Sequence, residues 1–119
     1  MISRKNRFHG YGSLAFVYRN GRTVRGPLFA TKTVSNPKRS DYRFAVVVSR
    51  KVDKSAVRRN RMRRRLYEAL RGLSGDIKQP HDIVLSVYSD AVLQEPYEKL
   101  VKQLRKQLHA AGVLVKTIK

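Results

Sequence analysis

Residues 58–65 form the group of side chains best suited to binding an anion, since six of these eight residues are arginine. The planar guanidinium group of arginine binds phosphate oxygens in pairs and stacks on nucleobases. Like charges also recur four residues apart, as at Arg59 and Arg63, and this spacing destabilises an isolated helix. A face that contacted only water would leave that repulsion uncompensated, so the run favours a polyanionic partner.

Apolar residues at helical spacing place this run on one side of an amphipathic helix that begins at Ala56. The predicted inner stripe consists of Met62, Leu66, Ala69, Leu70 and Leu73. The side chains predicted to point away from that stripe are Asn60, Arg63, Arg64, Tyr67 and Arg71, with Arg58, Arg61 and Arg65 along its flanks. Gly72 and Gly75 are predicted to end the helix.

The net charge of the chain indicates the same class of partner. Its 119 residues include 27 Lys and Arg against 8 Asp and Glu, which gives a formal net charge of +19 at pH 7. Repulsion within so small a protein disfavours the compact state unless a polyanion neutralises it. Nucleic acid is therefore the expected partner, with an anionic membrane surface as the alternative. A membrane-surface helix would carry more large apolar residues than this thin stripe does, so no membrane partner is predicted.

Residues able to cleave a substrate directly are not grouped in the sequence. A metal-dependent nuclease needs clustered carboxylates, and the eight acidic residues are spread along the chain without such spacing. The three histidines are scattered, and the absence of cysteine removes thiol chemistry and Cys-based zinc sites. We therefore expect no active site in the protein itself. The lack of a secretory signal and of an apolar run of spanning length predicts a cytoplasmic location.

Length and composition predict a single domain over residues 1–119, because 41% of the residues are hydrophobic and can supply one core. A first helix is predicted at 14–19, with Ser13 as its cap and a left-handed turn at Gly21 after it. A last helix is predicted to start at Pro96 and to bury Tyr97, Leu100, Val101, Leu104 and Leu108.

Four segments have the composition of β-strands. A short strand is predicted near 23–24, and longer strands at 28–34, 43–51 and 82–88. The continuous apolar run within 43–51 indicates burial on both faces, as in a central strand. Mixed strands and helices in this order predict a small α/β sandwich, and the ends of the chain, 1–12 and 113–119, are predicted to be flexible tails.

Several motifs along the chain resemble the bacterial ribonuclease P protein subunit. That family carries an Arg-Asn-Arg core on a helix that follows a strand ending in Ser-Lys/Arg-Lys. The matching segments here are Ser49-Arg50-Lys51 and Ala56 to Arg64, together with Arg7-Phe8, the first-helix pattern of Leu14, Val17, Tyr18 and Gly21, and Asp82 to Leu85. The resemblance covers nearly the whole chain.

The resemblance implies a fold and a function. The fold is an α/β (α+β) two-layer sandwich of order αβββαβα with a left-handed βαβ crossover, a class shared with a domain of a small-subunit ribosomal protein. The function is that of the protein subunit of an endoribonuclease that removes the 5′ leader from precursor tRNA. Its RNA subunit is the catalyst, and Mg²⁺ is bound mainly by that RNA.

The resemblance also implies two binding surfaces. The residues expected to bind the catalytic RNA are Arg58, Arg59, Asn60, Arg61, Arg63, Arg64 and Arg65. The residues expected to line a cleft for the single-stranded leader are Leu14, Val17, Tyr18, Ala30, Lys32, Val47, Arg50 and Lys51. An aromatic side chain among cations suits a single strand, because bases stack on it without regard to sequence. No protein partner is predicted.

Two other functions are compatible with the charge. A structural RNA-binding protein of the ribosomal type would share the composition and a similar sandwich, but it would not require an Arg-Asn-Arg helix directly after Ser-Arg-Lys. A DNA-binding protein could place the arginine helix in a major groove. Seven closely spaced arginines, counting Arg71, favour phosphate contact over base readout, for which only Asn60 is well suited.

Overall fold

The computed structural model describes residues 11–35, 42–77 and 80–114, except for the side chains of residues 11–15 and 74. The elements in chain order are helix α1 (Tyr11–Asn20), strands β1 (Arg22–Arg25), β2 (Phe29–Ser35) and β3 (Arg43–Val48), helix α2 (Ala56–Leu73), strand β4 (His81–Val87) and helix α3 (Tyr97–Ala110). Single 3₁₀ turns follow α2 and β4. This order confirms the predicted αβββαβα arrangement.

The four strands form one mixed sheet in the order β1-β2-β4-β3. β2 pairs antiparallel with both β1 and β4, whereas β3 runs parallel to β4. A parallel pair requires a crossover connection, and α2 supplies it between β3 and β4. The arginine-rich helix therefore connects the two parallel strands that form one side of the sheet.

The prediction that the 43–51 segment forms a central strand is wrong, because β3 lies at the edge of the sheet and ends at Val48. Its apolar run serves two different surfaces. Phe44, Val46 and Val48 join the main core, while Val47 lies on the opposite face with 36% of its surface exposed. The apolar residues of β3 thus serve two faces of the sheet, and they do not show that β3 has a neighbouring strand on each side.

Helices α2 and α3 cover one face of the sheet and build the main core with it. The predicted inner stripe of α2 is confirmed, since its buried residues are Met62, Leu66, Ala69, Leu70 and Leu73. In α3, burial of Leu100, Leu104 and Leu108 is also confirmed. Tyr97 was predicted to be buried but is 47% exposed, because it lies at the first position of the helix, beyond the core.

Gln107 takes a core position that the apolar pattern of α3 did not indicate. Its amide nitrogen donates to the Phe29 carbonyl at 3.0 Å, and its amide oxygen accepts from the Thr31 hydroxyl at 2.5 Å. A buried amide is tolerated only when its polar atoms are paired, and both contacts fasten α3 to β2.

Tyr67 was predicted to point away from the core and instead packs against β3. Its ring meets Phe44 edge-on, with 5.4 Å between ring centroids and an interplanar angle of 88°. The Val46 amide donates to its hydroxyl at 3.4 Å. Because β3 is an edge strand, a side chain on the flank of α2 can reach its free backbone edge, and the ring shields that edge.

Both ends of α1 differ from prediction. α1 begins at Tyr11, so Ser13 lies inside the helix rather than capping it. Gly21 does not adopt a left-handed turn, since Gly112, with φ of 77°, is the described glycine with positive φ. The predicted flexible tails lie largely outside the described residues, but Val113 and Leu114 are buried in the core and Tyr11 and Gly12 are helical.

None of the described helices is both long enough and apolar enough to cross a bilayer.

Candidate nucleic-acid interface

The face of the sheet opposite α2 and α3 carries α1 and a cavity of about 240 Å³. Val17 of α1 is fully buried and fixes the helix on this face. Val84 of β4, on the same face of the sheet, is also fully buried. The cavity is lined by two tyrosines, two cations, two hydroxyl side chains and one alanine, which are Tyr18, Tyr88, Arg25, Lys32, Thr23, Ser86 and Ala30. Aromatic and cationic groups of this kind suit an unstacked nucleotide.

Strand pairing explains why these side chains meet. Directly paired residues share one face of a sheet, and Ala30 pairs with both Arg25 and Ser86. Val47 of β3 pairs with Ser86, which places all four residues in one row across the sheet. Val47, which was expected to line the leader cleft, lies on the same face of the sheet but is not among the residues that line the cavity.

Tyr18 forms one wall of the cavity, and Lys32 holds it in place. The Lys32 ammonium lies 5.6 Å from the centroid of the Tyr18 ring, within the range of a cation–π contact. It also donates to the Tyr18 carbonyl at 3.1 Å. The ring remains 45% exposed and is available for stacking.

Tyr88 forms a second wall of the cavity and is held by the loop between β1 and β2. Its hydroxyl donates to the Phe29 carbonyl at 3.3 Å and also contacts the Gly26 carbonyl. Its backbone amide donates to the Leu28 carbonyl at 3.1 Å. Like Tyr18, this ring is 45% exposed, so the cavity presents two aromatic side chains in fixed positions.

The sequence predicted part of this cavity. Tyr18, Ala30 and Lys32 line it as expected, whereas Val17 is fully buried and offers no open surface. The side chain of Leu14 lies outside the described residues. The lining residues that the sequence did not indicate are Thr23, Arg25, Ser86 and Tyr88. Thr23 and Arg25 share this face through the pairing of β1 with β2, and Ser86 shares it through the pairing of β2 with β4, which joins strands far apart in the chain.

Arg50 and Lys51 line a different hollow from the cavity they were predicted to share. This second hollow, of about 420 Å³, lies at the start of α2 and is lined by Arg50, Lys51 and Lys54. Three cations next to a helix N-terminus form a site of strongly positive potential. The structure thus associates Arg50 and Lys51 with the arginine helix.

The exposed face of α2 carries Asn60, Arg61 and Arg64. Arg63 is partly buried and donates to the Asn60 side-chain oxygen at 3.3 Å. No ion pair joins Arg61 or Arg64 to another described residue. These side chains can therefore meet the phosphates of a partner without first breaking an internal ion pair.

Besides Arg63, three of the arginines predicted to bind RNA make contacts within the protein. Arg59 donates to the carbonyls of Asp53 and Lys54 at 3.0 and 2.9 Å. Arg65 donates to the Glu95 carbonyl at 2.6 Å and also to the Val92 carbonyl. Arg65 therefore anchors α2 to the β4–α3 connection.

Arg58 is the third of these arginines. Its Nε donates to the Asp53 carboxylate at 2.5 Å, and its terminal nitrogen lies 4.0 Å from Asp90. The hydrogen bond from Arg58, together with that from the Ser55 amide, holds the pKa of Asp53 below its usual value. Ser55 in turn accepts from the Arg58 amide at 3.2 Å, so these residues form the N-terminal cap of α2.

Five of the seven acidic side chains in the described segments lie within 4.0 Å of an arginine nitrogen. Asp82 is fully buried and accepts two hydrogen bonds from Arg43, at 2.9 and 2.6 Å. Asp76 lies 3.6 Å from Arg105. Within residues 11–35, 42–77 and 80–114, no three His, Cys, Asp or Glu side chains are placed to hold a metal ion.

Comparisons with known proteins agree with this geometry. A family model described as Ribonuclease P matches residues 2–112. The ribonuclease P protein component of a Pseudanabaena species is 34% identical over 115 residues, which cover 96% of this chain and 97% of that protein. The corresponding protein of Chloroflexus aggregans is 31% identical over 113 residues, covering 95% and 82% of the two chains.

Solved structures show the same fold. The ribonuclease P protein from Staphylococcus aureus superposes with a TM-score of 0.75 at 26% identity over the full length of both chains. The protein from Thermotoga maritima gives a TM-score of 0.71 at 24% identity, covering 82% of this chain and 89% of that one. These relatives do not favour the ribosomal-type alternative. The segment Ser49-Arg50-Lys51 after β3 leads into an arginine helix, and the fold and sequence are shared along nearly the whole chain. The chain therefore belongs to the ribonuclease P protein family, whose members are components of a tRNA-processing ribonucleoprotein.

Proposed function

We propose that this protein binds the catalytic RNA of ribonuclease P through α2 and the 5′ leader of precursor tRNA through the cavity beside α1. In this division, Asn60, Arg61 and Arg64 contact the catalytic RNA, and the hollow at Arg50, Lys51 and Lys54 extends that surface. The protein holds the two RNA molecules in one complex in the cytoplasm, and the RNA subunit cleaves the leader.

The observation that carries the proposal is the separation of two chemically different basic surfaces by the sheet. One surface is a convex face of arginines, which suits the phosphates of a structured RNA recognised by its shape. The other is a cavity with two half-exposed tyrosines, which suits single-stranded RNA. A protein that bound only one structured RNA would have no need of the second surface.

The Mg²⁺ ions are assigned to the RNA subunit, together with the cleavage step. Magnesium prefers oxygen ligands, chiefly carboxylates and water. In the described part of the chain the acidic side chains Asp53, Asp76 and Asp82 face arginines, and no metal-binding group is assembled. These residues do not fit a magnesium site, so we assign no step to the metal on the protein and place it on the RNA subunit.

Reconstitution tests the proposal. The purified protein is added to a bacterial ribonuclease P RNA at low Mg²⁺ concentration, and removal of the 5′ leader from a precursor tRNA is followed. We expect stimulation of cleavage in the presence of the RNA and no cleavage by the protein alone. Cleavage by the protein alone would contradict the proposal. Binding to the cognate RNA without stimulation at any Mg²⁺ concentration would favour a structural RNA-binding protein instead.

Variants of the two surfaces sharpen this test. Replacing both Arg61 and Arg64 by alanine should weaken binding to the RNA subunit and reduce the salt dependence of that binding. Tyr18→Ala should leave binding to the RNA subunit unchanged and weaken binding of precursor tRNA but not of mature tRNA, because only the precursor has a leader. Equal losses for both tRNAs would contradict a leader-binding role for the cavity.

A further inference from the structure

The Lys32 ammonium makes two polar contacts within the described part of the chain, and both are with Tyr18. Its ammonium lies 5.6 Å from the ring centroid of Tyr18 and donates to the carbonyl of the same residue at 3.1 Å. The side chain spans from β2 to the last turn of α1, and it lines the cavity together with Tyr18. Its charge is therefore directed toward the protein.

The end of α1 provides a reason for this contact. The last four carbonyls of a helix lack partners within it, and a cation at that end is favourable. The Gly21 amide donates to the Val17 carbonyl at 2.7 Å, and Lys32 supplies the donor for the next carbonyl, that of Tyr18. A Cβ on Gly21 would lie 2.6 Å from Lys32 Cγ, so the glycine leaves the space that the lysine stem occupies.

The two cationic side chains that line the cavity differ in their surroundings. Among the described side chains, neither Lys32 nor Arg25 forms an ion pair with a carboxylate. Lys32 is partly buried and bonded to α1, whereas Arg25 is exposed at the end of β1. Both cations line the same cavity, but the Lys32 ammonium is engaged with Tyr18, whereas the exposed Arg25 side chain forms no ion pair with a described residue.

We propose that Lys32 is a positioning residue, which fixes the Tyr18 ring as a wall of the cavity before RNA arrives, and that Arg25 is the phosphate contact in the same cavity. The inference rests on the proposed function and deepens it. A side chain already held in its binding position loses less conformational freedom when a ligand binds, so fixing the ring raises affinity without any contact between Lys32 and RNA.

Binding measurements on the reconstituted holoenzyme separate positioning from phosphate contact. The readout is the ratio of affinities for precursor and mature tRNA, measured over a range of salt concentrations. Lys32→Met keeps the aliphatic stem and removes the charge, and we expect it to lower the ratio about two- to fivefold at every salt concentration. Arg25→Met should lower the ratio and also reduce its salt dependence, by about 0.7 in the log–log slope.

A double-mutant cycle tests whether Lys32 acts through Tyr18. In the Tyr18→Leu background, Lys32→Met should cause no further loss, whereas Lys32→Arg in the original background should retain most of the affinity. A slope reduced by about 0.7 in Lys32→Met, or losses that add in the double variant, would show direct phosphate contact and overturn the inference. If Lys32→Met alone lowers the thermal stability of the protein, Lys32→Gln takes its place in the cycle.

A measurement without RNA distinguishes failure of this inference from failure of the proposed function. Ring motion of Tyr18 is followed by NMR in the free protein, with the tyrosine rings labelled and Tyr18 assigned by its absence in Tyr18→Leu. We expect Lys32→Met to increase the motion of this ring and to leave that of Tyr88 unchanged. An unchanged Tyr18 ring would overturn the inference alone. An altered ring together with equal losses of affinity for both tRNAs in Tyr18→Leu would overturn the leader-binding function and the role that Lys32 has in it.

Discussion

Gly21 leaves no room for a side chain at the point where α1 meets β2. A Cβ at this position would lie 2.5 Å from the Val17 carbonyl oxygen and 2.6 Å from Lys32 Cγ. The first of these atoms belongs to the backbone and cannot move without shifting the end of α1. The glycine is therefore required by close approach, and a positive φ angle plays no part, because Gly112 is the described glycine in that region.

Substitution of Gly21 tests this reasoning. We expect Gly21→Ala to lower the free energy of unfolding by about 1–3 kcal/mol, in the range of overpacked sites. Gly72→Ala is the matched control, because a Cβ there meets nothing within 4 Å and the residue lies inside α2. The control should raise stability by about 0.5–1 kcal/mol. Urea denaturation gives both values, and equal effects of the two substitutions would contradict the steric argument.

Asp53 makes one part of the stability dependent on pH. Its pKa is held below the usual value of 3.8 by the hydrogen bond from Arg58 and that from the Ser55 amide. A carboxyl group with a lower pKa in the folded state stabilises the fold above its unfolded pKa, and this contribution is lost as the pH falls through the folded pKa. The cap at the start of α2 should therefore weaken only in acid.

The variant Asp53→Asn provides the measurement. The difference in unfolding free energy between the original protein and this variant should be constant above about pH 5 and should shrink as the pH falls below the ordinary carboxyl pKa. Denaturant titrations between about pH 6 and pH 2 would show this. A difference that did not vary with pH would mean that the Asp53 charge contributes nothing to the cap.

At the scale of elements, the arginines of α2 divide into an outer face and an anchor. Arg64 is exposed, whereas Arg65 donates to the Val92 and Glu95 carbonyls and joins α2 to the connection that precedes α3. The two residues are adjacent in the sequence and carry the same charge. Substituting each in turn therefore separates RNA binding from stability, because the two variants have the same net charge.

We expect Arg65→Met to lower the free energy of unfolding by about 1.5–3 kcal/mol, because two hydrogen bonds from a charged group are lost. Arg64→Met should leave stability within about 0.5 kcal/mol of the original and weaken binding to the RNA subunit. Thermal unfolding and filter binding give the two quantities for each variant. A loss of stability in Arg64→Met, or none in Arg65→Met, would contradict this division of the helix.

The periodicity of α2 and its position after a strand could be predicted from the sequence, because a 3.6-residue repeat reports one buried face directly. The edge position of β3 could not, since an apolar run does not distinguish a strand neighbour from a helix or an open cavity. The cavity residues Ser86 and Tyr88 depended on the pairing of β2 with β4, which joins residues such as Ala30 and Ser86. The contacts of Arg65 could not be predicted either, because no local sequence pattern indicates the position of the loop carbonyls that accept its hydrogen bonds.

At the scale of the whole molecule, a net charge of +19 in 119 residues opposes folding. The basic residues of the α2 face and the cavity have few acidic partners in the described segments, so their mutual repulsion is relieved chiefly by salt or by a bound anion. RNA bound on these surfaces would supply that anion.

We expect the free protein to be partly unfolded at low ionic strength and to gain helical circular dichroism when sulfate is added. Chloride at the same ionic strength should be less effective, because sulfate both screens and binds at clustered cations. The same spectrum with and without sulfate at low ionic strength would show that the fold tolerates its own charge.

The division of the two RNA molecules between the two sides of the sheet is tested most directly by site-specific crosslinking in the reconstituted holoenzyme with precursor tRNA bound. A photoreactive benzoylphenylalanine replaces Tyr18 in one protein and Arg64 in another, and the crosslinked nucleotides are mapped. We expect the probe at Tyr18 to react with the 5′ leader and the probe at Arg64 to react with the RNA subunit. Reaction of the Tyr18 probe with the RNA subunit, at a level that does not change when the leader is removed, would contradict this division.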